Sequence, residues 1–440
     1  MPNIESKLLS LRLEILDLVS SFGDEFVKKD NFEPGKSLIP VSGKVLDPRD
    51  FVSLVDSVLD GWFTGGRFTT QFEKALSKFI GMRRGLFVNS GSSANLVALS
   101  SLTSSKLGDK RLVPGDEVIS VAMGFPTTVN PIIQNRLKPV LVDVESNTLE
   151  VDIQKLREAI TKRTRAIMLA HTLGNPFNVD EVLAICKEFD LWLIEDNCDA
   201  LGSIYKGKMT GSFGDVSTVS FYPAHHITTG EGGMVFTKSP LIEKQAESFR
   251  DWGRDCYCET GCDNTCKKRF DWELGKLPKG YDHKYIYSHI GYNLKATDMQ
   301  AALGISQFSK IDEFVARRIE NFNYLKDQLK ELEGITLAEA TEGSIPAWFG
   351  FPITLNDNHP ANREELLRFL ESRRIGTRLM FAGNIVKQPA YLDVNIKVVG
   401  GLKNTDTLMN RAFWLGVYPG LTFEMLDYVA DSIKEFFRKY

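Results

Sequence analysis

Gly85-Leu86-Phe87-Val88-Asn89-Ser90-Gly91-Ser92-Ser93-Ala94-Asn95-Leu96 passes from a short apolar run through a turn of small residues into the start of a helix. A brief apolar segment closed by Gly and Ser has the length of a buried strand rather than of a helix. The turn that follows leaves backbone N–H groups free at the positive end of a helix dipole, which is an anion site. Gly91, Ser92 and Ser93 are the residues placed to meet that anion.

The same alternation continues outward. Apolar runs at 86–88, 117–121, 140–144, 166–170, 191–194 and 218–221 read as strands, separated by stretches of helical spacing between about 51 and 236. Strands alternating with helices predict parallel βαβ units with helices on both faces, an α/β class with a mainly parallel, doubly wound sheet. Before them, residues 5–27 carry Leu8, Leu11, Ile15, Leu18, Phe22 and Phe26 at helical spacing, which predicts an N-terminal helical extension over 1–40. The large domain is expected over 41–310, with a polar, Cys-rich insertion at 250–290. After a helical stretch at 298–332, a smaller α/β domain over 311–440 is expected.

A chain of 440 residues with 43% hydrophobic and 25% charged residues has the composition of a globular protein. Its formal net charge of -4 supplies no electrostatic footprint for nucleic acid. Residues 1–28 lack the basic leader and unbroken apolar core of a signal peptide, and no stretch is apolar enough to span a bilayer, so a cytoplasmic protein without membrane contact is expected. In that reducing setting, clustered cysteines are metal ligands or reactive thiols rather than disulfides.

Two further segments carry chemistry. Ile194-Glu195-Asp196-Asn197-Cys198-Asp199 puts carboxylates at the C-terminal end of a strand, where open α/β sheets bind ligands. Ser220-Phe221-Tyr222-Pro223-Ala224-His225-His226-Ile227-Thr228-Thr229-Gly230-Glu231-Gly232-Gly233 follows another strand and contains no lysine. Cys256, Cys258, Cys262 and Cys266 are spaced C-x-C-x3-C-x3-C, neither a zinc ribbon nor a ferredoxin run, but four thiols so close together demand a ligand. Locality makes Cys262 the fourth donor.

These motifs resemble those of the DegT-type sugar aminotransferase family, from about residue 36 to 440. The segment 220–233 is similar to its S-F-x-x-x-K-x-x-x-x-G-E-G-G block, with His225 where the family has lysine. The resemblance implies an aspartate-aminotransferase-like fold of the type I pyridoxal phosphate transferases, with Gly91, Ser92, Ser93 and Ser220 near the cofactor phosphate and Phe125 stacked on its ring. It also implies that Asp196 pairs with the pyridine nitrogen, that Asp199 replaces the family's usual Gln or His, and that Asn293 reaches across a homodimer interface. Without lysine there is no covalent tether, so the cofactor implied is pyridoxamine 5'-phosphate, with His225 moving protons.

Histidine for lysine, Asp199 and the cysteine insertion together look like the lysine-lacking branch of CDP-4-keto-6-deoxy-D-glucose 3-dehydratases, whose members carry a 2Fe-2S cluster. That branch's C-x57-C-x-C-x7-C pattern is met by Cys198, Cys256, Cys258 and Cys266, so the fourth ligand stands open between Cys198 and Cys262. The resemblance implies a CDP-linked 4-keto-6-deoxyhexose substrate and an NADH-dependent flavin/iron-sulfur reductase as partner. The rivals are a GDP-4-keto-6-deoxymannose 3-dehydratase, a sugar aminotransferase using a lysine elsewhere such as Lys238, and a noncatalytic relative. Arg378 is a candidate for a substrate diphosphate.

Overall fold

The structure, a computed structural model, describes residues 4–28, 31–258, 264–357 and 359–440. One sheet holds β1 (Arg84–Val88), β2 (Glu117–Val121), β3 (Lys138–Val142), β4 (Thr164–Ala170), β5 (Trp192–Asp196), β6 (Val216–Ser220), β7 (Gly233–Thr237) and β8 (Lys397–Val398). Their spatial order is β1-β7-β6-β5-β4-β2-β3-β8. From β6 to β8 every neighbour is parallel, whereas β7 runs antiparallel to both β1 and β6.

Both faces of this sheet are covered, which is why its strands read as nearly continuous apolar runs. Ile119, Val121, Ile167, Leu169 and Leu193 pack on one face with Val179, Val182 and Ile185 of helix Val179–Phe189. Their neighbours in the chain, Val118, Ala166, Met168 and Ile194, pack on the other with Ala94, Val97 and Ala98 of helix Gly91–Ser101. The period-2 alternation of Cβ directions divides each strand between two cores.

The sheet is mainly parallel, as expected, and β7 is its antiparallel exception. Parallel neighbours need a crossover, usually a helix, to return the chain to its starting edge. The link 221–232 contains no helix, so the chain turns back beside β6 instead. That turn carries His225.

A second sheet of Ile335–Leu337, Gly350–Leu355, Ala412–Gly416 and Arg378–Leu379 is antiparallel throughout. Helices Ile311–Leu329, Arg363–Ser372 and Phe423–Phe437 bury their apolar faces against it through Phe322, Leu325, Leu366, Leu370, Ile433 and Phe436. The chain then crosses back, since β8 extends the large sheet beside β3. At the other end, helix Ile4–Phe26 lies along helix Pro48–Val58, with Phe51 edge-on to Phe22 and Phe26 and Arg12 paired to Asp56 and Asp60. Leu8, Leu11, Ile15 and Leu18 on that helix remain exposed. Among the described residues no helix is long and apolar enough to cross a membrane.

Candidate active site

The C-terminal ends of β1, β2, β4, β5 and β6 lie at one edge of the sheet, and a cleft of about 1240 Å³ opens along it. Ser90, Gly91, Ser92, Phe125, Asp196, Cys198, Asp199, Ser220 and His225 all line this cleft. The topology thus brings together segments that are up to 135 positions apart, Ser90 and His225.

The turn after β1 is a helix N-terminus capped by Ser90, whose Oγ accepts the Ser93 N–H at 3.0 Å. The Ser93 hydroxyl lies 2.9 Å from that same Oγ, so it serves the cap and does not line the cleft. Of the residues at this turn, Ser90, Gly91 and Ser92 line the cleft, and Ser220 lines it from β6. Gly91 is required by close approach rather than by backbone conformation. A Cβ there would stand 2.4 Å from the Ser220 Cβ and 2.7 Å from its Oγ.

Asp196 is 5% exposed and held by three donors, with acceptor capacity left on Oδ1. Its Oδ2 accepts from Asn95 Nδ2 and Thr128 Oγ1, both at 2.7 Å, and its Oδ1 from the Cys198 N–H at 3.2 Å. Thr218 Oγ1 donates to Asn95 Oδ1 at 2.6 Å, which fixes the amide's orientation. Charge-assisted hydrogen bonds of this kind hold a carboxylate in one rotamer. Asn95, Thr128 and Thr218 escaped the sequence reading; Asn95 lies one turn into the opening helix, and its buried polar side chain is intelligible only through the partner 101 residues away. Phe125, at the start of helix Pro126–Gln134, is 54% exposed, with Phe381 edge-on at 6.3 Å. A ring left open to a cleft is a stacking surface, not core.

His225 presents its imidazole to the same space, tilted against Phe349 at 5.1 Å. Nδ1 stands 3.6 Å from Asp199 Oδ1, beyond hydrogen-bond range, and has no hydrogen-bond partner. Burial, and then the charge of Arg318, push the imidazole down to about 3. Burial, and then the charge of Asp196, push the Asp199 carboxyl up to about 8. Both directions have one electrostatic outcome: at neutral pH His225 is an uncharged base beside a protonated carboxyl. Tyr222, half-exposed in the cleft, is a further lining residue that the sequence reading passed over.

No lysine is among the described residues lining the cleft. The capped turn, the held Asp196 carboxylate, the open Phe125 ring and the unpartnered His225 nitrogen together suit an untethered pyridoxamine phosphate. At the far end, Arg378 lines the cleft, donates to the Thr377 carbonyl at 2.9 Å and has no carboxylate partner among the described residues. Asn293 is exposed, bridged to Asp251, and does not line its own chain's cleft.

The cysteines of the insertion converge on a residue absent from the sequence expectations. Cys256 Sγ and Cys266 Sγ each lie 3.6 Å from His283 Nε2, and Cys258 Sγ lies 4.0 Å from it. The His283 ring is fully buried, edge-on to Trp272 at 4.9 Å. Three thiols and an imidazole are a soft-to-borderline donor set suited to zinc or to iron in a sulfur environment. Burial raises the Cys256 thiol. At Cys258 burial is outweighed by hydrogen bonds from Thr265 and Cys266, which bring it to about 7. Cys198 lies in the cofactor cleft, where burial and the Asp196 charge hold its thiol far above the usual range. Cys262 lies outside the described residues. Cys256 also lines a second pocket of about 430 Å³ with Lys244, Arg254, Tyr257 and Trp272.

Residues 47–434 match the model of the DegT/DnrJ/EryC1/StrS aminotransferase family. The chain is 57% identical, over 97% of its length and 98% of the relative's, to the lipopolysaccharide biosynthesis protein RfbH of Salmonella typhimurium. It is 56% identical, over 93% of its length and 88% of the relative's, to a dTDP-4-dehydro-2,6-dideoxy-D-glucose 3-dehydratase of Saccharopolyspora spinosa. A crystal structure of a GDP-4-keto-6-deoxymannose-3-dehydratase holding a trapped PLP-glutamate geminal diamine superimposes with a TM-score of 0.80 at 29% identity, covering 90% of this chain and 99% of that one. The mixed, mostly parallel sheet is accordingly that of the type I pyridoxal phosphate transferases, and the chain belongs to the DegT/DnrJ/EryC1/StrS aminotransferase family.

Proposed function

We propose that this protein is a pyridoxamine-phosphate-dependent 3-dehydratase acting on a nucleotide-linked 4-keto-6-deoxyhexose. The observation that carries the reading is His225: an imidazole, not an amine, occupies the catalytic loop, and the described cleft residues offer no lysine to replace it. A 3-dehydratase similar at 56% identity over nearly the whole chain supports the reaction class. We take the sugar nucleotide to be CDP-linked, on the combination of His225, Asp199 and the cysteine insertion; a dTDP-linked sugar is the second reading, favoured by that same relative.

In this reading the turn at Ser90–Ser92 and Ser220 hold the cofactor phosphate, Asp196 holds the pyridine nitrogen, and Phe125 covers the ring. The bound cofactor supplies an amine for the sugar ketone and an electron sink. His225, uncharged at neutral pH, accepts the proton released next to the cofactor ring. Asp199, protonated beside it, offers the proton that the departing hydroxyl requires. Arg378 faces the substrate diphosphate from the open end of the cleft.

Loss of the hydroxyl as water is redox-neutral and leaves an unsaturated product; its two-electron reduction to the 3-deoxy sugar would need an electron supply, and we assign that role to a 2Fe-2S cluster on Cys256, Cys258 and Cys266, fed by an NADH-dependent flavin/iron-sulfur reductase. The fourth donor is one of Cys198, Cys262 and His283, of which His283 is the one in contact with the other three. A homodimer completes the reading, with Asn293 serving the partner's cofactor phosphate.

The test is His225→Asn assayed with CDP-, dTDP- and GDP-linked 4-keto-6-deoxyhexoses. Loss of hydroxyl release with cofactor binding retained is the expected result. Undiminished turnover in the variant overturns the assignment, and iron content with a dithionite-bleached visible spectrum decides the cluster.

A further inference from the structure

Arg318 is buried to 1% exposure in the middle of helix Ile311–Leu329, beneath the catalytic loop. Its guanidinium donates only to neutral carbonyls: Ala224 at 3.4 Å and His225 at 3.1 Å from one nitrogen, Trp348 and Phe349 at 3.3 Å from the other. Nε has no partner, and no carboxylate among the described residues forms an ion pair with the group. A buried cation with no close ion-pair partner is costly: burial depresses Arg318 itself to about 9, against the more distant charge of Asp199, which raises it. A purely structural role would be met more cheaply by an apolar side chain.

The surroundings say what the charge does. Phe349 neighbours both groups, its ring 5.8 Å from the guanidinium carbon and 5.1 Å from the imidazole. Trp348 is stacked on Phe322, four positions along the same helix, at 3.9 Å and 2°. The 348–349 segment is therefore fixed to the helix, and the loop 224–225 is fixed to both.

We propose that Arg318 is a positioning residue for His225: its guanidinium, seated on the Ala224 and His225 carbonyls, sets the imidazole in the cleft and keeps a permanent positive charge behind it. The charge disfavours the imidazolium, so His225 stays a free base where an ordinary histidine would be partly protonated. The other titratable and charged groups around the imidazole are Asp196, Cys198 and Asp199 at the end of β5, Tyr222 and His226 on its own loop, Glu231 and Arg378 at the cleft wall, and Lys44 behind the loop. Of the cations, Arg318 is the buried one that bonds to the His225 carbonyl. The inference rests on His225 being the base of the proposed reaction.

Arg318→Met removes charge and fork while keeping volume; Arg318→Lys keeps the charge. With six histidines in the chain, imidazole nitrogen NMR of histidine-labelled holoprotein can follow the His225 titration, assigned by its loss in His225→Asn. In Arg318→Met the His225 midpoint moves to higher pH and kcat falls roughly 10- to 100-fold, with KM little changed. In Arg318→Lys the midpoint holds and kcat is partly restored. An unchanged His225 midpoint in Arg318→Met, or one that rises equally in Arg318→Lys, overturns the proposal. If Arg318→Met does not fold, full kcat in Arg318→Lys overturns it instead. The titration needs no substrate, so it decides this role even if no nucleotide sugar is turned over.

Discussion

Gly91→Ala is a substitution whose cost can be worked from the coordinates. Gly91 does not have a positive φ, so alanine brings no backbone strain and the whole effect is steric. The new Cβ falls 2.4 Å from Ser220 Cβ, whereas carbon atoms settle at about 3.5 Å, so the turn and β6 must part by roughly 1.1 Å. Overpacking of this kind costs about 1–3 kcal/mol, and it falls on the turn whose N–H groups meet the phosphate. Pyridoxamine phosphate affinity, measured by absorbance titration of dialysed protein, should weaken about 10- to 100-fold, or ~1.4–2.8 kcal/mol. Ser220→Gly deletes the obstructing Cβ and Oγ, leaving Ser220 Cα at 3.1 Å as the next contact. Gly91→Ala in the Ser220→Gly background should then cost little. Additive effects of the two substitutions would refute the argument, because contacting residues must couple if the clash is the cause.

Asn95→Ala and Thr128→Val each remove one hydrogen bond from Asp196 Oδ2, and each should weaken cofactor binding by about 1.5–3 kcal/mol in the same titration. Burial keeps the Asp199 carboxyl protonated up to about pH 8. Since ionisation removes the proton donor as pH rises through that value, the wild-type rate should fall on the alkaline side, and Asp199→Asn, which keeps the shape but cannot release a proton, should lose about 10²–10⁴-fold in kcat at pH 7 with cofactor binding retained; an undiminished rate in the variant would contradict this. Glu195 is buried and accepts from the Gly211, Phe213 and Gly214 N–H groups while facing His171 Nε2 at 3.0 Å. Glu195→Ala should therefore lower unfolding stability in urea by about 3–5 kcal/mol. His283→Ala should reduce bound metal, measured by elemental analysis, as severely as Cys256→Ser does; undiminished metal would remove His283 from the donor set.

The parts of the fold that were legible in the chain are those written in local periodicity. The run 117–121 coincides with β2, and 218–221 is offset from β6 by one or two residues, because strands buried on both faces carry apolar or small residues at nearly every position. β7 is equally apolar, yet its direction is a property of the link before it: 221–232 contains no crossover helix, a feature that strand periodicity does not carry. The edge strand β8 is only two residues long and pairs across more than 250 positions, too little local signal for any periodicity to show.

The site divides in the same way. Asp196 and His225 could be singled out because one ends a strand and the other lies in the turn just after one, each in a stretch of unusual composition. Arg318 and His283 could not, since nothing nearby in sequence distinguishes a buried arginine in an amphipathic helix from a solvated one, or a histidine 17 residues past Cys266 from any other. What exposes them is a physical imbalance visible only in three dimensions: a cation with carbonyls where an anion belongs, and an imbalance of thiols around one ring. Both stand behind residues that the chain does advertise. A sequence records which groups do chemistry more openly than it records which groups hold them in the required protonation state and place, because holding can be done from any element that the fold brings near.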